Sequence, residues 1–243
     1  MKGEKIDISI VIPIRNEAEN IPPLAKELES IMDREFAEWE CIWVDDGSSD
    51  GGLDILRKLA SADSRHRYIS FERNAGQSAA FLAGFMEAKA PVIATIDGDG
   101  QNDPADIPAL FRTVQSGAAD MANGYRARRQ DNLKRKISSI LGNWFRTLLT
   151  GKTVRDAGCS TRVFRRECVQ WFPRFAGMHR FLPTLAAMHG FKLSEAPVNH
   201  RPRVKGRSKY SVSNRLWVSL VDMFGVLWLK KRALDYRIKA KSD

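Results

Sequence analysis

The chain has 243 residues, of which 43% are hydrophobic and 28% charged, and this balance excludes a disordered or collagen-like protein. The three cysteines include no C-x-x-C pair, so neither a disulfide framework nor a zinc knuckle is expected, and a reducing compartment such as the cytosol is favoured. Residues 1–122 carry 12 Lys and Arg against 22 Asp and Glu, whereas residues 123–243 carry 27 against 7. The acidic half suits a divalent cation, and the basic half suits phosphate on a nucleotide, a nucleic acid or a membrane surface.

The first half alternates apolar runs with segments of helical periodicity. The predicted strands are Asp7 to Ile14, Trp39 to Asp45, Tyr68 to Phe71, Val92 to Ile96 and Asp120 to Asn123. The predicted helices are Leu24 to Met32, Leu53 to Ala60, Gln77 to Ala88 and Ile107 to Val114. This alternation predicts an α/β protein with a mostly parallel sheet covered by helices on both faces.

The second half begins with a basic turn and continues with longer apolar segments. The apolar stripe from Leu133 to Leu148 predicts an amphipathic helix. The apolar segment from Leu216 to Leu229 has 14 residues, too few to span a bilayer. Trp217 and Trp228 near its ends and the basic residues 230–232 are typical of a helix in the lipid headgroup region, with a core helix as the alternative.

Polar stretches follow four of the predicted strands, where ligands bind in sheets of this kind. The most informative stretch is Asp97-Gly98-Asp99-Gly100-Gln101, directly after the fourth strand. Two carboxylates separated by one glycine can turn towards one hard cation, and Gln101 could add a third oxygen. Such a cation would neutralise charge on a departing pyrophosphate. A polar surface turn is the alternative interpretation.

Four motifs in this order resemble the family-2 glycosyltransferases: Val11 to Glu17, Val44 to Gly51, Asn74 to Gly76 and Asp97 to Gln101. Residues 203–210, Arg-Val-Lys-Gly-Arg-Ser-Lys-Tyr, look like the R-x-x-G-x-S-K element of the polyprenyl-phosphate, dolichol-phosphate mannose synthase-like branch. The resemblance implies a Rossmann-like, nucleotide-sugar-binding fold of the GT-A type, to which the apolar segments described above add C-terminal amphipathic helices. It implies one domain over residues 1–243, with a donor half at about 6–125 and an acceptor- and membrane-facing half at about 126–243.

The resemblance also implies roles for individual residues. The donor would contact Pro13, Asn16, Glu17, Val44, Asp46, Asp97, Gly98, Asp99, Arg126, Arg203 and Lys209. Mg²⁺ or Mn²⁺ would be held by Asp97, Asp99 and Gln101. The acceptor phosphate would contact Arg126, Arg128, Arg135, Ser139, Arg203 and Lys209. Cap or turn duty is the alternative for Glu17 and Asp46, and the expectation for Asp50. A solvated basic surface is the alternative for Arg128, Arg129 and Arg203.

The expected catalytic residues are Asp99 and Asp156. Asp156 stands where family-2 enzymes often present an acidic residue near the acceptor, as a base or as an acceptor orienter; pairing with Arg155 or Arg162 is the alternative. An alcohol acceptor needs a base. A phosphate acceptor is largely dianionic at pH 7 and needs positioning instead.

These features predict inverting, metal-dependent transfer of a sugar from a nucleotide-diphosphate sugar to a polyprenyl phosphate at the cytoplasmic membrane face. A soluble or polysaccharide hydroxyl acceptor is the first alternative, and a basic nucleic-acid-binding module is a remote one, so no nucleic-acid partner is expected. Many relatives carry C-terminal transmembrane helices. The apolar segment from Leu216 to Leu229 is too short to be such a helix, so peripheral attachment is expected here, through the amphipathic helices or a separate membrane-anchoring protein. The sequence leaves the sugar, the nucleotide base and the oligomeric state open.

Overall fold

The computed structural model describes residues 6–127, 154–202 and 212–232, with the side chains of the last segment described from residue 221 onwards. In these residues, one sheet contains all the strands, in the order β3-β2-β1-β4-β6-β5-β7. The strands are β1 Ile8–Ile14, β2 Trp39–Asp45, β3 His66–Ser70, β4 Val92–Thr95, β5 Met121–Arg126, β6 Arg162–Arg165 and β7 Leu193–Val198.

Helices alternate with the first strands. Their bounds are α1 Ile21–Glu35, α2 Gly52–Ala62, α3 Gln77–Glu87, α4 Ile107–Gln115, α5 Leu182–Met188 and α6 Val212–Arg232. Local sequence starts them: two prolines stand in the first turn of α1, and α2 follows Gly51, whose φ of 82° is left-handed. The side chain of Asp103 caps the 3-10 turn Pro104–Asp106, which leads into α4.

The sheet is mostly parallel, as predicted. Only β6 among the described strands runs antiparallel, to both β4 and β5. From β1 the chain moves outwards through β2 and β3 and then returns to β4 on the other side of β1. This reversal opens a crevice between the carboxyl ends of β1 and β4, which is where ligands bind in open α/β sheets.

Helices cover both faces of the sheet, which confirms the second part of the prediction. On one face, alternate residues of β1 such as Ile10 and Ile12 pack with α1 and α4. On the other face, Val11 packs with Phe81 and Phe85 of α3. The predicted inward stripe of α1 is buried: Leu24, Leu28, Ile31 and Met32.

The structure differs from the sequence prediction mainly in the second half. The strand predicted at Asp120 to Asn123 extends to Arg126, and the one predicted at Tyr68 begins at His66. No strand was predicted for β6, which has only four residues, two of them arginines, or for the half-exposed β7. The amphipathic helix predicted at Leu133 to Leu148 lies outside the described residues.

The predicted C-terminal helix is present as α6, longer at both ends than the apolar segment. None of the helices that the structure describes has the length and the apolar run that a membrane span requires.

Candidate active site

The Asp97 to Gln101 stretch follows β4 at the crevice. Its backbone passes so close to β1 that a Cβ on Gly98 would lie 2.5 Å from Ile14 Cγ2 and 3.1 Å from the Pro13 carbonyl oxygen. Only glycine fits between the two aspartates without a shift of β1. The Asn102 side chain accepts a hydrogen bond from the Asp97 amide at 3.0 Å, which fixes the turn. The structure therefore brings both carboxylates of the motif to the carboxyl end of the sheet.

Asp97 lies in a mixed electrostatic environment. Burial of its carboxylate, reinforced by the adjacent Asp99, raises the pKa of Asp97 to about 6. Ser160, Arg162 and Arg126 act in the opposite direction. The Gln77 amide, at the start of α3, donates to Asp97 Oδ1 at 2.8 Å. Two adjacent carboxylates are a donor set that suits Mg²⁺ or Mn²⁺, so the residues present fit the predicted cation.

Gln101 joins this motif to the segment after β7. Its amide donates to the Arg201 carbonyl at 3.2 Å, and the Arg201 amide donates to the Gln101 carbonyl at 2.9 Å. The Arg201 guanidinium binds both oxygens of Glu27 and also Asp103. The segment after β7 thus lies beside the Asp97 to Gln101 stretch, which we call the cation motif. Binding of the cation by Gln101 stays a prediction.

The predicted donor residues of the first two loops lie together. Pro13 and Val44 are opposite each other in β1 and β2. Asn16 has a left-handed φ of 49°, its amide donates to Ser48 Oγ at 2.8 Å, and its Oδ1 accepts from the Ser49 amide at 2.7 Å. These bonds fix the first loop against the second.

Three acidic residues of these loops have structural partners. Asp46 accepts from the backbone amides of Ala75 and Gly76, so it holds the loop before α3, and base recognition by Asp46 stays a prediction. Glu17 accepts from the Asn20 side chain ahead of α1. Asp50 accepts from the Gly52 amide at the start of α2 and from the Ala18 amide of the first loop, but the N-cap residue of α2 is Gly51, so Asp50 stabilises the loop and is not the cap residue expected.

On the acceptor side, Asp156 forms a two-bond ion pair with Arg126. Arg126 Nε lies 2.7 Å from Asp156 Oδ2, and Arg126 Nη2 lies 2.9 Å from Oδ1. Both side chains are largely buried, with 14% and 15% of their surface exposed. The two arginines predicted as alternative partners of Asp156 also have other contacts: Arg155 Nε lies 3.9 Å from Glu195, and Arg162 donates to the oxygens of Asn123, His179 and Ala157.

Sequence reasoning missed three residues at this site. Gln77 was visible as part of the polar stretch after the third strand but had no assigned role. Asn123 gave no sequence signal, and Arg162 was considered only as an alternative partner of Asp156, because their contacts depend on the pairing of β5 with β6, which are 35 or more residues apart in the chain. Five predicted phosphate-binding residues lie outside the described residues: Arg128, Arg135, Ser139, Arg203 and Lys209.

A second group of possible metal ligands lies at the opposite end of the strands. The ligand atoms of Glu29, Asp63 and His66 lie within 4.8 Å of one another. Trp43 Nε1, which can only donate, lies 3.1 Å from His66 Nδ1, so the ring proton is on Nε2, which donates to Glu29 at 3.0 Å. A metal on Nε2 would leave both ring nitrogens without a proton. The group is therefore a structural hydrogen-bond chain.

The C-terminal helix α6 presents an apolar surface to solvent. Val221, Phe224 and Trp228 are 56%, 61% and 62% exposed, whereas Met223 and Val226 are buried against the α3 face of the sheet. Asp222, in the same helix, lies 2.6 Å from Arg180. The helix thus has one packed face and one exposed apolar face, as an amphipathic interfacial helix requires.

Two sequence relatives cover most of this chain. It is 34% identical over 232 residues to the dodecaprenyl-phosphate galacturonate synthase of Rhizobium johnstonii, covering 94% of this chain and 68% of that protein. It is 37% identical over 205 residues to the undecaprenyl-phosphate 4-deoxy-4-formamido-L-arabinose transferase of Salmonella choleraesuis. That match covers 84% of this chain and 62% of the relative, so the chain spans less than two thirds of the latter.

Solved structures share the fold at low sequence identity. Glucosyl-3-phosphoglycerate synthase from Mycobacterium tuberculosis, in complex with Mn²⁺, UDP-glucose and phosphoglyceric acid, gives a TM-score of 0.69 at 17% identity, covering 95% of this chain and 81% of that one. S. aureus TarS in complex with UDP-GlcNAc gives 0.65 at 16% identity, covering 96% and 68%. These similarities confirm the predicted GT-A fold. The glycosyl transferase family 2 model matches residues 9–171, and the chain therefore belongs to this family of glycosyltransferases.

Proposed function

We propose that this glycosyltransferase transfers a sugar, with inversion, from a nucleotide-diphosphate sugar to a polyprenyl phosphate of the undecaprenyl or dolichyl type. One observation carries the proposal: the Asp97 and Asp99 carboxylates and the largely buried Arg126–Asp156 pair lie at the same end of the sheet, where β4 and β5 end. The first can hold a cation for a leaving diphosphate, and the second can bind an incoming phosphate. Both relatives are named for transfer to a polyprenyl phosphate.

For the donor, we propose that Pro13, Asn16, Glu17, Val44 and Asp46 surround the nucleoside, with Gly98 allowing close approach at the diphosphate. Asp97, Asp99 and Gln101 would hold Mg²⁺ or Mn²⁺, and the mycobacterial neighbour was solved with Mn²⁺. Bound there, the cation supplies Lewis-acid stabilisation of the departing nucleotide. Gln77 keeps Asp97 in place through its 2.8 Å hydrogen bond.

For the acceptor, we propose that Arg126 contacts the phosphate and that Asp156 orients Arg126. Both oxygens of Asp156 already accept from the guanidinium, which is a poor arrangement for a general base. A dianionic phosphate is nucleophilic without deprotonation, so positioning is sufficient. We extend the phosphate contact to the residues outside the described segments: Arg128, Arg135, Ser139, Arg203 and Lys209.

For location, we propose peripheral attachment at the cytoplasmic face of the membrane. The exposed apolar face of α6, followed by the basic residues 230–232, supports attachment to an anionic lipid surface. A separate membrane-anchoring protein is the second candidate for this attachment. We also propose that one domain spans residues 1–243, because β6 and β7 of the second half complete the sheet of the first.

The test is incubation of the purified chain and Mn²⁺ with polyprenyl-phosphate liposomes and a panel of UDP- and GDP-sugars, followed by mass spectrometry of the lipids. We expect one donor to raise the lipid mass by one sugar residue. Asp99→Asn should reduce this product by about 100-fold or more. Asp54→Asn is the matched control, because Asp54 is an exposed partner of Arg57 on α2. Donor hydrolysis that depends on Asp99, without lipid product, would support the donor site and refute the lipid acceptor.

A further inference from the structure

Arg162 is a buried cation with no assigned role in the transfer. It is the first residue of β6, opposite Thr95 of β4 and Asn123 of β5, and only 2% of its surface is exposed. Its three nitrogens donate to three neutral oxygens. The acceptors are Asn123 Oδ1 at 2.9 Å from Nε, the His179 carbonyl at 2.9 Å from Nη1 and the Ala157 carbonyl at 2.7 Å from Nη2.

Each of these oxygens belongs to a different segment of the site. Asn123 lies three residues before Arg126 in β5, and Ala157 directly follows Asp156. His179 lies in the 3-10 turn Met178–Arg180, and its ring nitrogen Nδ1 lies 2.7 Å from the hydroxyl oxygen of Ser78. Ser78 is the second residue of α3, next to Gln77, which binds Asp97. One guanidinium therefore joins the strand of Arg126, the loop of Asp156 and the turn that contacts the start of α3.

The Asp156 loop has a second link to the same network. Asn123 Nδ2 donates to the Asp156 carbonyl at 3.2 Å while its Oδ1 accepts from Arg162. Two consecutive carbonyls, those of Asp156 and Ala157, are thus held from β5 and β6. This support fixes the backbone from which the Asp156 carboxylate reaches Arg126.

The charge of Arg162 also bears on its role. A buried guanidinium needs acceptors for its N–H groups, and the oxygens of Asn123, His179 and Ala157 provide three of them. Asp97 also lies within the electrostatic reach of Arg162. The cation is therefore placed where both the metal-binding motif and the acceptor loop can use it.

We propose that Arg162 is a positioning residue for the transfer. Through the three hydrogen bonds of its guanidinium, it fixes the position of the Arg126–Asp156 pair relative to the carboxylates of Asp97 and Asp99. The inference rests on the proposed function for the identity of the groups that it aligns. Lysine keeps the charge but cannot reproduce the planar fork, so Arg162→Lys separates the two properties.

The test compares Arg162→Lys with Arg165→Lys. Arg165 is on the same strand at its other end, is partly exposed and lies 3.4 Å from Asp120, so it is a matched control. For each folded variant, kcat and KM are measured for lipid transfer, and binding of Mn²⁺ with UDP or GDP is measured by calorimetry. We expect Arg162→Lys to lower kcat about tenfold or more, with nucleotide affinity within about threefold of the unaltered chain. Arg165→Lys should match the unaltered chain in both.

A kcat of Arg162→Lys within about twofold of the unaltered chain would overturn the inference, as would a loss of nucleotide affinity as large as the loss of kcat. If Arg162→Lys does not fold, Asn123→Ala tests the same network, with a tenfold loss of kcat expected and an unchanged kcat contradicting it. Absence of lipid product from the unaltered chain would refute the proposed function instead. In that case, kcat of each variant would be compared with kcat of the unaltered chain for metal-dependent hydrolysis of the donor. A loss of about tenfold or more would support the inference, and a kcat within about twofold would overturn it.

Discussion

At the residue scale, the ion pair of Arg126 and Asp156 is the feature on which the proposed choice of acceptor depends. A general base must have a carboxylate oxygen available for the acceptor proton. Here each oxygen of Asp156 accepts a hydrogen bond from the guanidinium, at 2.7 and 2.9 Å. A phosphate acceptor needs no proton removal at neutral pH, and it is attracted to the arginine that Asp156 holds.

The first prediction concerns Asp156→Asn. The asparagine keeps one oxygen for Arg126, so we expect kcat to fall by about tenfold or less and KM for the lipid phosphate to rise. Removal of an essential base would lower kcat by about a hundredfold or more. Steady-state kinetics with varied lipid phosphate measure both constants. Asp120→Asn is the control, because Asp120 pairs with Arg165 away from the site.

Single residues were predictable from the sequence where the local motif carried the information. The pair Asp97 and Asp99 could be placed at a strand end because the apolar strand and the glycine between them are adjacent in the chain. The partner of Asp156 could not be placed, because Arg126 is 30 residues away and meets it only after β5 and β6 pair.

At the scale of elements, α3 lies unusually close to the sheet and carries Gln77 to the cation motif. A Cβ on Gly84 would collide with Val11 Cγ1 and lie 3.2 Å from Val44 Cγ2. Glycine at this position lets the helix approach β1 and β2, and Phe81 and Phe85 on either side of it are buried.

The second prediction is that Gly84→Ala lowers the free energy of unfolding by about 1–3 kcal/mol, because α3 must move away from β1. Gly225→Ala, in α6, is the matched helical control, since a Cβ there meets nothing within 4 Å. We expect that change to be neutral or stabilising by about 1 kcal/mol or less. Urea unfolding followed by circular dichroism measures both, and equal effects of the two variants would refute the packing argument.

The third prediction concerns the exposed apolar face of α6. Phe224→Glu should weaken binding to anionic liposomes about tenfold, because it removes apolar surface and adds a repelled charge. Met86→Glu is matched in exposure, as both side chains are 61% exposed, but lies on α3. Sedimentation with liposomes at low and high salt measures the binding. An equal loss in both variants would show that α6 is not the attachment surface.

Most strands of the first half were predictable because β1, β2 and β4 are buried throughout, whereas β3 is partly exposed and its start was predicted two residues late. In β7, by contrast, only Val198 is buried and the other five residues are partly or fully exposed. Alternation of apolar and polar residues is absent there, so the period of a strand could not be recognised. The four residues of β6 are too short a run for periodicity to decide between strand and loop.

At the scale of the whole molecule, a partly buried hydrogen-bond chain connects the sheet to helix α1. His66 of β3 accepts from Trp43 of β2 and donates to Glu29 of α1. Burial lowers the pKa of His66, although Glu29 acts in the opposite direction. His66 therefore takes up a proton at a lower pH in the folded chain than in the unfolded chain, where a histidine has a pKa near 6.5.

The fourth prediction follows from that difference in proton uptake. The unfolded state binds more protons below a pH of about 6.5, so the free energy of unfolding should fall as pH decreases through that value, by up to about 1.4 kcal/mol per pH unit from this one group. His66→Gln should reduce the slope, whereas His200→Gln, at an exposed position, should not. Urea unfolding at several pH values provides the slopes, and identical slopes in the unaltered chain and His66→Gln would contradict the argument.

The division of charge along the chain has a clear structural counterpart. The acidic first half supplies the Asp97 to Gln101 stretch after β4, and the basic second half supplies β6, which lies between β4 and β5, and β7, which lies beyond β5. Composition could indicate this division but not the sheet order that joins its parts, since the order depends on long-range pairing.

The most direct test of the central claim compares acceptors in the same vesicles. Polyprenyl phosphate and the corresponding polyprenol are presented separately with Mn²⁺ and the productive donor, and the lipids are analysed by mass spectrometry. We expect a product one sugar heavier with the phosphate and none with the alcohol, because we propose that Arg126 binds the phosphate and that Asp156, which is paired with Arg126, orients it and is not a base. Transfer to the alcohol, or to a soluble hydroxyl acceptor at a comparable rate, would contradict it.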